Sequence, residues 1–514
     1  MGSRKENPGE TLAPAEVPRE IEMKLSIAPD TIGSVLAHPL LAKARRSPDH
    51  AGVLDATYFD TEERDLCRAG FSLRIRRQGD RRIQTLKVDG GSRGLVLDRG
   101  EWETPLDGDA LDWRALETTA LAPLLCENNF KERLRPVFSV RTDRQAFVLD
   151  RKRDRIELVL DRFEIAAGER TGRFGEIELE VKRGTRAGLF AVALDLAQAS
   201  PVRLSLTTKS ERGYTLLDGY APNAVKAERV ALRPGQTSAE AFQTVARSCL
   251  AQAVSNEALV REHRSAEAVH QFRVGLRRLR AAASLFKDIL PDDESRAVRE
   301  DLQWMNHSTG AVRDLDVLIA RLREAPDHEQ PLAAVERRRE ESCDQLLATL
   351  DEVRFRRGTL AAAAWIETGR WLTLDGPDLH EKRNEAVEER AARELTKRWK
   401  RVTKRAGRLA ELDPEARHQV RIEVKKLRYG VEFFGGLFTG KKAKKRRKQA
   451  SAALEQLQEA LGALNDVAVG GHLLAPAPEP ERLPADEPDR ATAGWLDRAG
   501  SIHRDLAAIK PFWK

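Results

Sequence analysis

In Arg19–Ile27, REIEMKLSI, the charged residues Glu20, Glu22 and Lys24 alternate with Ile21, Met23 and Leu25. In an extended chain, a period of two puts the charges on one sheet face and the apolar groups on the other. GEIELEVKRG, Gly175–Gly184, repeats the pattern with Glu176, Glu178, Glu180 and Lys182 opposite Ile177, Leu179 and Val181. LRIRR offers Arg74 and Arg76 on one face, and Lys87, Glu101, Glu103, Arg141 and Asp161 are further charged candidates. A solvated outer face is the ordinary reading of any one such strand. Three glutamates at i, i+2 and i+4 weigh against it, because like charges side by side repel. A cation among the carboxylates removes that repulsion, and hard divalent ions such as Mg²⁺ or Mn²⁺ take carboxylate oxygens. Arginines on the same face would bind a phosphate chain whose oxygens also reach the ion. Together these are the parts for metal-assisted phosphoryl transfer. A closed barrel with its polar faces inward would assemble them, its apolar outer face covered by short helices.

A second charged constellation has helical spacing. HQFRVGLRRLR places His270, Arg273, Arg277 and Arg280 at i, i+3, i+7 and i+10, one stripe of a helix, beside the apolar Val269, Phe272, Leu276 and Leu279. HQVRIEVKKLR repeats the design with His418, Arg421, Lys425 and Arg428. Basic helix faces are ordinarily solvated, but solvation does not require the same order of His, Arg and Leu twice. Cations stacked on one stripe repel by a few tenths of a kcal/mol per pair, and a bound polyanion would offset that. Aromatic interleaving for base stacking is absent, as is any recognisable nucleic-acid motif, so a flexible anion without bases fits better. Neither histidine has a second ligand at zinc-binding spacing. The run Lys441–Lys448 (KKAKKRRK) adds further positive charge.

The elements that must carry these groups divide the chain in two. From about 18 to 220 the alternation continues through LRIRR, IQTLKV, IELVLDRFEI and GEIELEVKRG, with short helical candidates at Pro29–Ala42, Leu111–Leu125 and Thr185–Ala199. Residues 221–237 carry Pro222, Pro234 and Gly235 and read as a linker. From 238 to 514 the period is helical, with breakers at Pro291, Pro326 and Pro414. This second half is internally duplicated: His270 and His418 stand 148 residues apart, Gly310 and Gly462 152 apart, in the same order. The Pro/acidic stretch 475–490 reads as a loop and residues 1–17 as a disordered lead-in.

The 514 residues suffice for two domains with cores, and 41% hydrophobic with 33% charged residues describes a polar globular protein. The net charge of +7 favours polyanionic partners. Four dispersed cysteines with no CxxC read as reduced thiols of a cytosolic protein. No apolar run approaches the roughly 20 residues of a membrane helix, and the N-terminus lacks the apolar core of a signal peptide.

Glu20-Ile21-Glu22-Met23-Lys24 resembles the ExExK signature of the CYTH superfamily, the triphosphate tunnel metalloenzymes. The resemblance extends through Leu73–Arg76, Lys87, the Glu176–Glu180 strand and Thr208-Lys209-Ser210-Glu211-Arg212-Gly213-Tyr214, which is similar to a late SK..RGY segment with Lys and Ser reversed. It implies an eight-stranded antiparallel barrel binding triphosphate with a divalent metal. Carried over, Glu20, Glu22, Glu176 and Glu178, with Asp161, are expected as metal ligands. Lys24, Arg74, Arg76, Lys87, Arg141, Lys209 and Arg212 are expected on the phosphates. Glu20, Glu22, Lys24 and Glu180 are expected to act in catalysis, Glu180 by ligating metal or orienting a water. The second half resembles the CHAD domain, through both histidine helices and through Val312–Asp316 and Leu464–Val467. That implies a pseudo-twofold helical bundle binding inorganic polyphosphate through His270, Arg273, Arg277, Arg280, His418, Arg421, Lys425 and Arg428.

The tandem is similar to bacterial inorganic triphosphatases. The expectation is a two-domain protein, an α+β barrel followed by an all-α bundle. It would hydrolyse tripolyphosphate to phosphate and pyrophosphate with Mg²⁺ or Mn²⁺, while its helical half holds polyphosphate. It is expected in the cytoplasm, on polyphosphate granules where these form, with no nucleic-acid or membrane partner; a homo-oligomer is left open. The alternatives are a non-catalytic polyphosphate-granule protein and a nucleotide-directed enzyme of the same superfamily, an adenylate cyclase or a thiamine triphosphatase-like hydrolase.

Overall fold

The structure, a computed structural model, describes residues 19–88, 94–127, 129–151, 153–219, 222–324, 329–473 and 487–514. The chain forms two compact units, one containing the chain up to Asn223 with Asp351–Leu360, the other Ala224–Leu350 with Ala361–Lys514. The expected lead-in 1–17 lies outside the described residues. So does most of the expected 475–490 loop, of which the last positions open the helix Glu487–Ala508.

The first unit is built on ten strands: β1 (Arg19–Ile27), β2 (Arg45–Arg46), β3 (Gly52–Asp60), β4 (Phe71–Gln78), β5 (Arg81–Val88), β6 (Leu97–Leu106), β7 (Arg135–Arg151), β8 (Asp154–Ala167), β9 (Arg170–Arg183) and β10 (Arg203–Ser205). The order β1-β6-β5-β4-β3-β7-β8-β9, with β9 pairing back onto β1, closes a ring of eight antiparallel strands. β10 continues along the β1 edge where β6 leaves it, and β2 pairs β7. Closure removes the free edges that would otherwise invite pairing with another chain.

The apolar side of the alternation faces outward under helices. Met23, Leu25, Ile156, Leu158, Leu160, Ile177 and Leu179 are buried, and the helix Arg186–Ala199 packs on β1, β8 and β9 with Leu189, Phe190, Val192, Ala193 and Leu196 buried. On the β4–β6 side, Leu73, Leu86 and Trp102 join Leu116, Leu121, Leu125 and Phe130 of the short helices between β6 and β7. The inner face is apolar at one end, where Ala56, Tyr58, Phe138, Val140, Phe163 and Ile165 surround Tyr214. Tyr214 belongs to the helix Lys209–Asp218. That helix starts where Thr208 accepts from the Glu211 amide and the Glu211 carboxylate accepts from the Thr208 amide, a capping box. Gly213 is required there: a Cβ would run into the Phe138 ring.

The second unit is helical. Phe242, Phe286, Trp365, Trp371 and Phe434 form its aromatic centre, with Phe242 5.2 Å from both indoles. The two histidine helices are Ala266–Leu285, capped by Ser265, and Pro414–Phe434, capped by Asp413 with proline in the first turn, where its missing N–H costs nothing. They pack against each other. The duplication is imperfect in backbone: the first copy continues as two helices, Asp293–Ser308 and Gly310–Leu322, whereas the second runs unbroken as Lys441–Leu473.

Candidate active site

Strand register fixes which charges meet inside the ring. β9 lies between β1 and β8, so Glu22, Glu180 and Glu157 form one row, Lys24, Glu178 and Val159 the next, and Ser26, Glu176 and Asp161 the third. Partners in a row share a face and stand one strand spacing apart, about 4.8 Å. In the lower rows the carboxylate oxygens of Asp161, Glu176 and Glu178 come within 4.8 Å of one another. Asp161 is 0% and Glu176 1% exposed. Glu176 Oε2 is buried and has no hydrogen-bond partner.

Three cations penetrate this acidic layer. Lys209 Nζ lies 2.9 Å from Asp161, 2.7 Å from Glu176 and 3.1 Å from Glu178, above the Phe163 ring. Lys24 donates to Glu178 and stands 3.5 Å from Glu22 and from Glu176. Arg144 donates to Asp161 through two nitrogens, at 2.8 and 2.6 Å, and to Glu178 at 3.0 Å. Burial alone would pull the Lys24 and Lys209 ammonium groups down. The surrounding carboxylates outweigh it, Glu176, Glu178 and Glu22 at Lys24 and Asp161, Glu176 and Glu178 at Lys209, and both pKa values rise. Burial likewise pushes Glu178 and Asp161 up, and Lys209 and Arg144, with Lys24 at Glu178, hold both below the usual carboxylate range.

Beyond this layer opens a cavity of about 830 Å³. Its lining includes Lys24, Arg74, Arg76, Arg81, Lys87, Arg144, Lys182 and Lys209 against Glu101, Glu103, Glu157, Glu178 and Glu180. Arg76 pairs with Glu103 at 3.1 Å and Lys87 with Glu101 at 2.9 Å. Arg74 donates to the Tyr58 hydroxyl at 3.3 Å, and its Nε is buried without a hydrogen-bond partner. Burial, then the Arg74 charge, lowers the pKa of Arg76. Glu180 is bonded to Lys182 at 2.6 Å, Lys182 reaches Glu157 at 3.2 Å, and Glu157 holds His50 Nδ1 at 2.7 Å.

The structure thus gathers Glu22, Lys24, Arg74, Arg76, Lys87, Asp161, Glu176, Glu178, Glu180 and Lys209. It does not bring in Arg141, which is 70% exposed on the outer face beside Asp55 at 3.2 Å. β7 turns Thr142 and Arg144 inward, and Arg141, of opposite parity, must point out. Nor does Arg212 line the cavity; its guanidinium lies over the Phe174 ring, 4.7 Å from the centroid. The side chain of Glu20 lies outside the described residues. Arg144, Glu157 and His50 were not singled out from the sequence. The parity of β8 relative to Asp161 was the signal that could have found Glu157; β7, polar on both faces over Arg141–Gln145, gave no such signal for Arg144.

In the second unit the two histidine helices bring their stripes together. The charged neighbours of Lys425 are Arg421 and Arg428 on its own helix and Arg277 and Arg273 on the other. Arg273 donates to the Asn306 carbonyl at 2.9 Å and to Thr309 Oγ1 at 2.7 Å. Arg280 bonds Gln303 at 3.5 Å, and Arg428 repeats that contact with Gln458 at 3.1 Å. Gly310 faces Arg273 and Gly462 faces Arg421 in the same way. His270 is half-buried, and burial followed by the charge of Arg313 lowers its pKa; His418 is exposed. Asn465–Val467 offer no described side chains.

Family comparison agrees with both architectures. The CYTH domain model matches residues 18–214 and the CHAD domain model residues 244–475. The chain carries a CYTH domain followed by a CHAD domain. A Haemophilus influenzae protein named inorganic triphosphatase is 31% identical over 198 residues, 38% of this chain and 55% of that protein, so the chain spans about half the length of this curated relative. The solved CHAD domain of the plant Ricinus communis is 28% identical, covering 56% of this chain and 98% of its own, with a TM-score of 0.46. A solved Hippeastrum protein reported to have a dominant triphosphatase activity is 20% identical over 38% of this chain and 95% of its own, with a TM-score of 0.30.

Proposed function

We propose that the first unit is a divalent-metal-dependent inorganic triphosphatase, cleaving tripolyphosphate to phosphate and pyrophosphate, and that the second unit binds polyphosphate. The observation that carries the first part is a cation-rich cavity directly above three convergent carboxylates. The carboxylates suit a hard divalent ion: all donors are oxygens, and a buried one, Glu176 Oε2, has no partner. Asp161, Glu176 and Glu178, with Glu22 in the adjoining row, would hold Mg²⁺ or Mn²⁺, which when bound draws charge from phosphate oxygens. Arg74, Arg76 and Lys87 hold the anionic chain along the ring wall. Lys24 and Arg144 fix the reacting end and offset negative charge developing there. Glu180, one row along, orients a water toward the terminal phosphorus. The water oxygen bonds to phosphorus, the anhydride P–O bond opposite breaks, pyrophosphate leaves, and the water proton passes to a carboxylate.

The cavity favours a chain without a base. Tyr58 is the single Phe, Tyr or Trp among its described lining residues, and its ring is stacked on Phe138 at 4.7 Å, which leaves little platform for a nucleobase. Initial rates on tripolyphosphate, long polyphosphate, ATP and thiamine triphosphate, with and without Mg²⁺ or Mn²⁺, test this reading. Tripolyphosphate should be preferred, metal should be required, and Glu22→Ala and Glu178→Ala should each lose at least about a hundredfold. Unchanged turnover in both variants, or faster turnover of ATP, refutes it.

The polyphosphate reading of the second unit rests on the facing stripes of the two repeats: burial, then the charges of Arg421, Arg277, Arg273 and Arg428, lowers the pKa of Lys425. A cytoplasmic location on polyphosphate would follow from such binding. Of the described helices, none is long and apolar enough to cross a membrane.

A further inference from the structure

The helix Lys209–Asp218 fills the apolar end of the ring and turns its N-terminus to the cavity, where Thr208, Lys209 and Ser210 form part of the lining. Its other end is closed by protein. Arg170 donates to the Leu216 carbonyl at 3.5 Å and to the Leu217 carbonyl at 3.2 Å, and Gly219 terminates the helix in the left-handed region. Tyr214 anchors the middle by donating to Asp60 at 2.6 Å. The N-terminus is only half closed. An α-helix leaves its first four amides without partners inside the helix. Here the capping box takes two of them: the Thr208 amide donates to the Glu211 carboxylate at 2.8 Å, and the Glu211 amide donates to Thr208 Oγ1 at 3.1 Å. The two between, the amides of Lys209 and Ser210, have no hydrogen bond to another described residue. The Ser210 side chain is a second, independent sign. The residue is 8% exposed and lines the cavity, and among the described residues its hydroxyl has no hydrogen-bond partner. Buried hydroxyl groups ordinarily have one. The Thr208 hydroxyl, by contrast, is taken up by Glu211.

We propose that the Lys209 and Ser210 amides, with Ser210 Oγ, form a subsite for one terminal phosphate group at the floor of the cavity. All three groups can donate, and an ionised phosphate offers acceptor oxygens alone, so the chemistry matches on every contact. The partial positive charge of the helix end adds to the attraction. The acidic layer nearby does not oppose it. Lys209 Nζ stands against Asp161, Glu176 and Glu178, and Lys24 and Arg144 pair with the same carboxylates, so their charge is already offset. Tyr214 and its apolar neighbours fill the ring beyond the helix end. A phosphate chain therefore meets this subsite with its end and not with its middle, and Ser210 is a binding residue that sets how the chain is placed. The proposal rests on the reading of the cavity as a phosphate site and adds which group is held at its floor, and by what.

The test uses the full chain in metal-free buffer, with inorganic phosphate and pyrophosphate as probes. Hydrogen exchange read by mass spectrometry should show the Lys209 and Ser210 amides slowing at least about tenfold when pyrophosphate saturates the protein, an effect that a merely structural role would not produce. Calorimetric titration should show pyrophosphate binding about tenfold more weakly to Ser210→Ala, which loses one hydrogen bond to a charged group. Ser210→Asp should lose more, because its carboxylate competes for the same amides. The exchange experiment needs no variant, so a substitution that fails to fold does not spare the proposal. Absence of protection at both amides with either probe overturns it. So does parent-like affinity in both variants, and if tripolyphosphate is still hydrolysed the triphosphatase reading stands without this subsite. Protection at the two amides and weakened binding in Ser210→Ala, in a protein that leaves tripolyphosphate intact, support the subsite and count against the enzymatic reading.

Discussion

Two arginines three positions apart on β7 should behave as opposites. Arg144 holds Asp161 through two hydrogen bonds and Glu178 through a third, with side-chain exposures of 15%, 0% and 17%. Arg141 meets Asp55 on the outer face, the two side chains 70% and 38% exposed. Removing one partner of a buried ion pair costs about 3–5 kcal/mol, because the other charge is stranded. Asp161 retains Lys209 at 2.9 Å, so Arg144→Ala belongs at the low end of that range. For a unit of about 200 residues, a loss of about 3 kcal/mol lowers Tm by about 6–12 °C. An exposed pair contributes about 0–1 kcal/mol, so Arg141→Ala should stay within about 4 °C of the parent. Arg144→Ala should also lose about a hundredfold in tripolyphosphate hydrolysis, as a charge clamp at the reacting end would, whereas Arg141→Ala should keep its rate within about twofold. Calorimetric melts without added metal, paired with initial rates, measure both. Equal melts and equal rates for the two variants would refute the assignment of faces and the role of Arg144.

Three further outcomes follow from the same geometry. Glu178 and Asp161 have depressed folded-state pKa values, so their stabilisation is complete above the unfolded carboxylate pKa, about 4, and is lost as pH falls from there through the folded values. Melts between pH 2.5 and 7 should show a fall confined to the acid end and shallower in Glu178→Gln; a fall centred between pH 5 and 7 contradicts this. Gly213→Ala should cost about 1–3 kcal/mol by overpacking against Phe138 and, through the helix that carries Lys209, should reduce hydrolysis; a melt and a rate like the parent's would show that the helix is not seated on that ring. In the second unit, Arg273→Gln with Arg421→Gln should weaken polyphosphate binding by about tenfold per charge in calorimetric titration, while tripolyphosphate turnover stays within about twofold; unchanged affinity would move the anion site elsewhere.

Much of the barrel was legible before any coordinates because a sheet has a period of two. β4, β5, β8 and β9 each contain a stretch read as a strand, and the helix Arg186–Ala199 was expected. β3 and β7 were not read. β7 carries polar groups on both faces over Arg141–Gln145, so its alternation does not show which side is inner. That ambiguity is why Arg141 was chosen and Arg144 passed over. His50 escaped for another reason: it sits in the short turn Pro48–His50, where no periodicity exists, and only the fold sets it against Glu157.

By itself, the order of residues determined what is local: which strands have one charged and one apolar face, and that the helical half is duplicated. These depend on neighbours within a few positions, where sterics and hydrogen bonding act directly. Tertiary structure alone decided that Asp161, Glu176 and Glu178 converge, that Lys209 and Arg144 lie among them, and that Lys425 is surrounded by guanidinium groups of both repeats. Register, ring closure and helix pairing bring together groups far apart in the chain. Their charges then act through a buried medium in which a shift of an ångström or of one residue in register changes every pairwise energy.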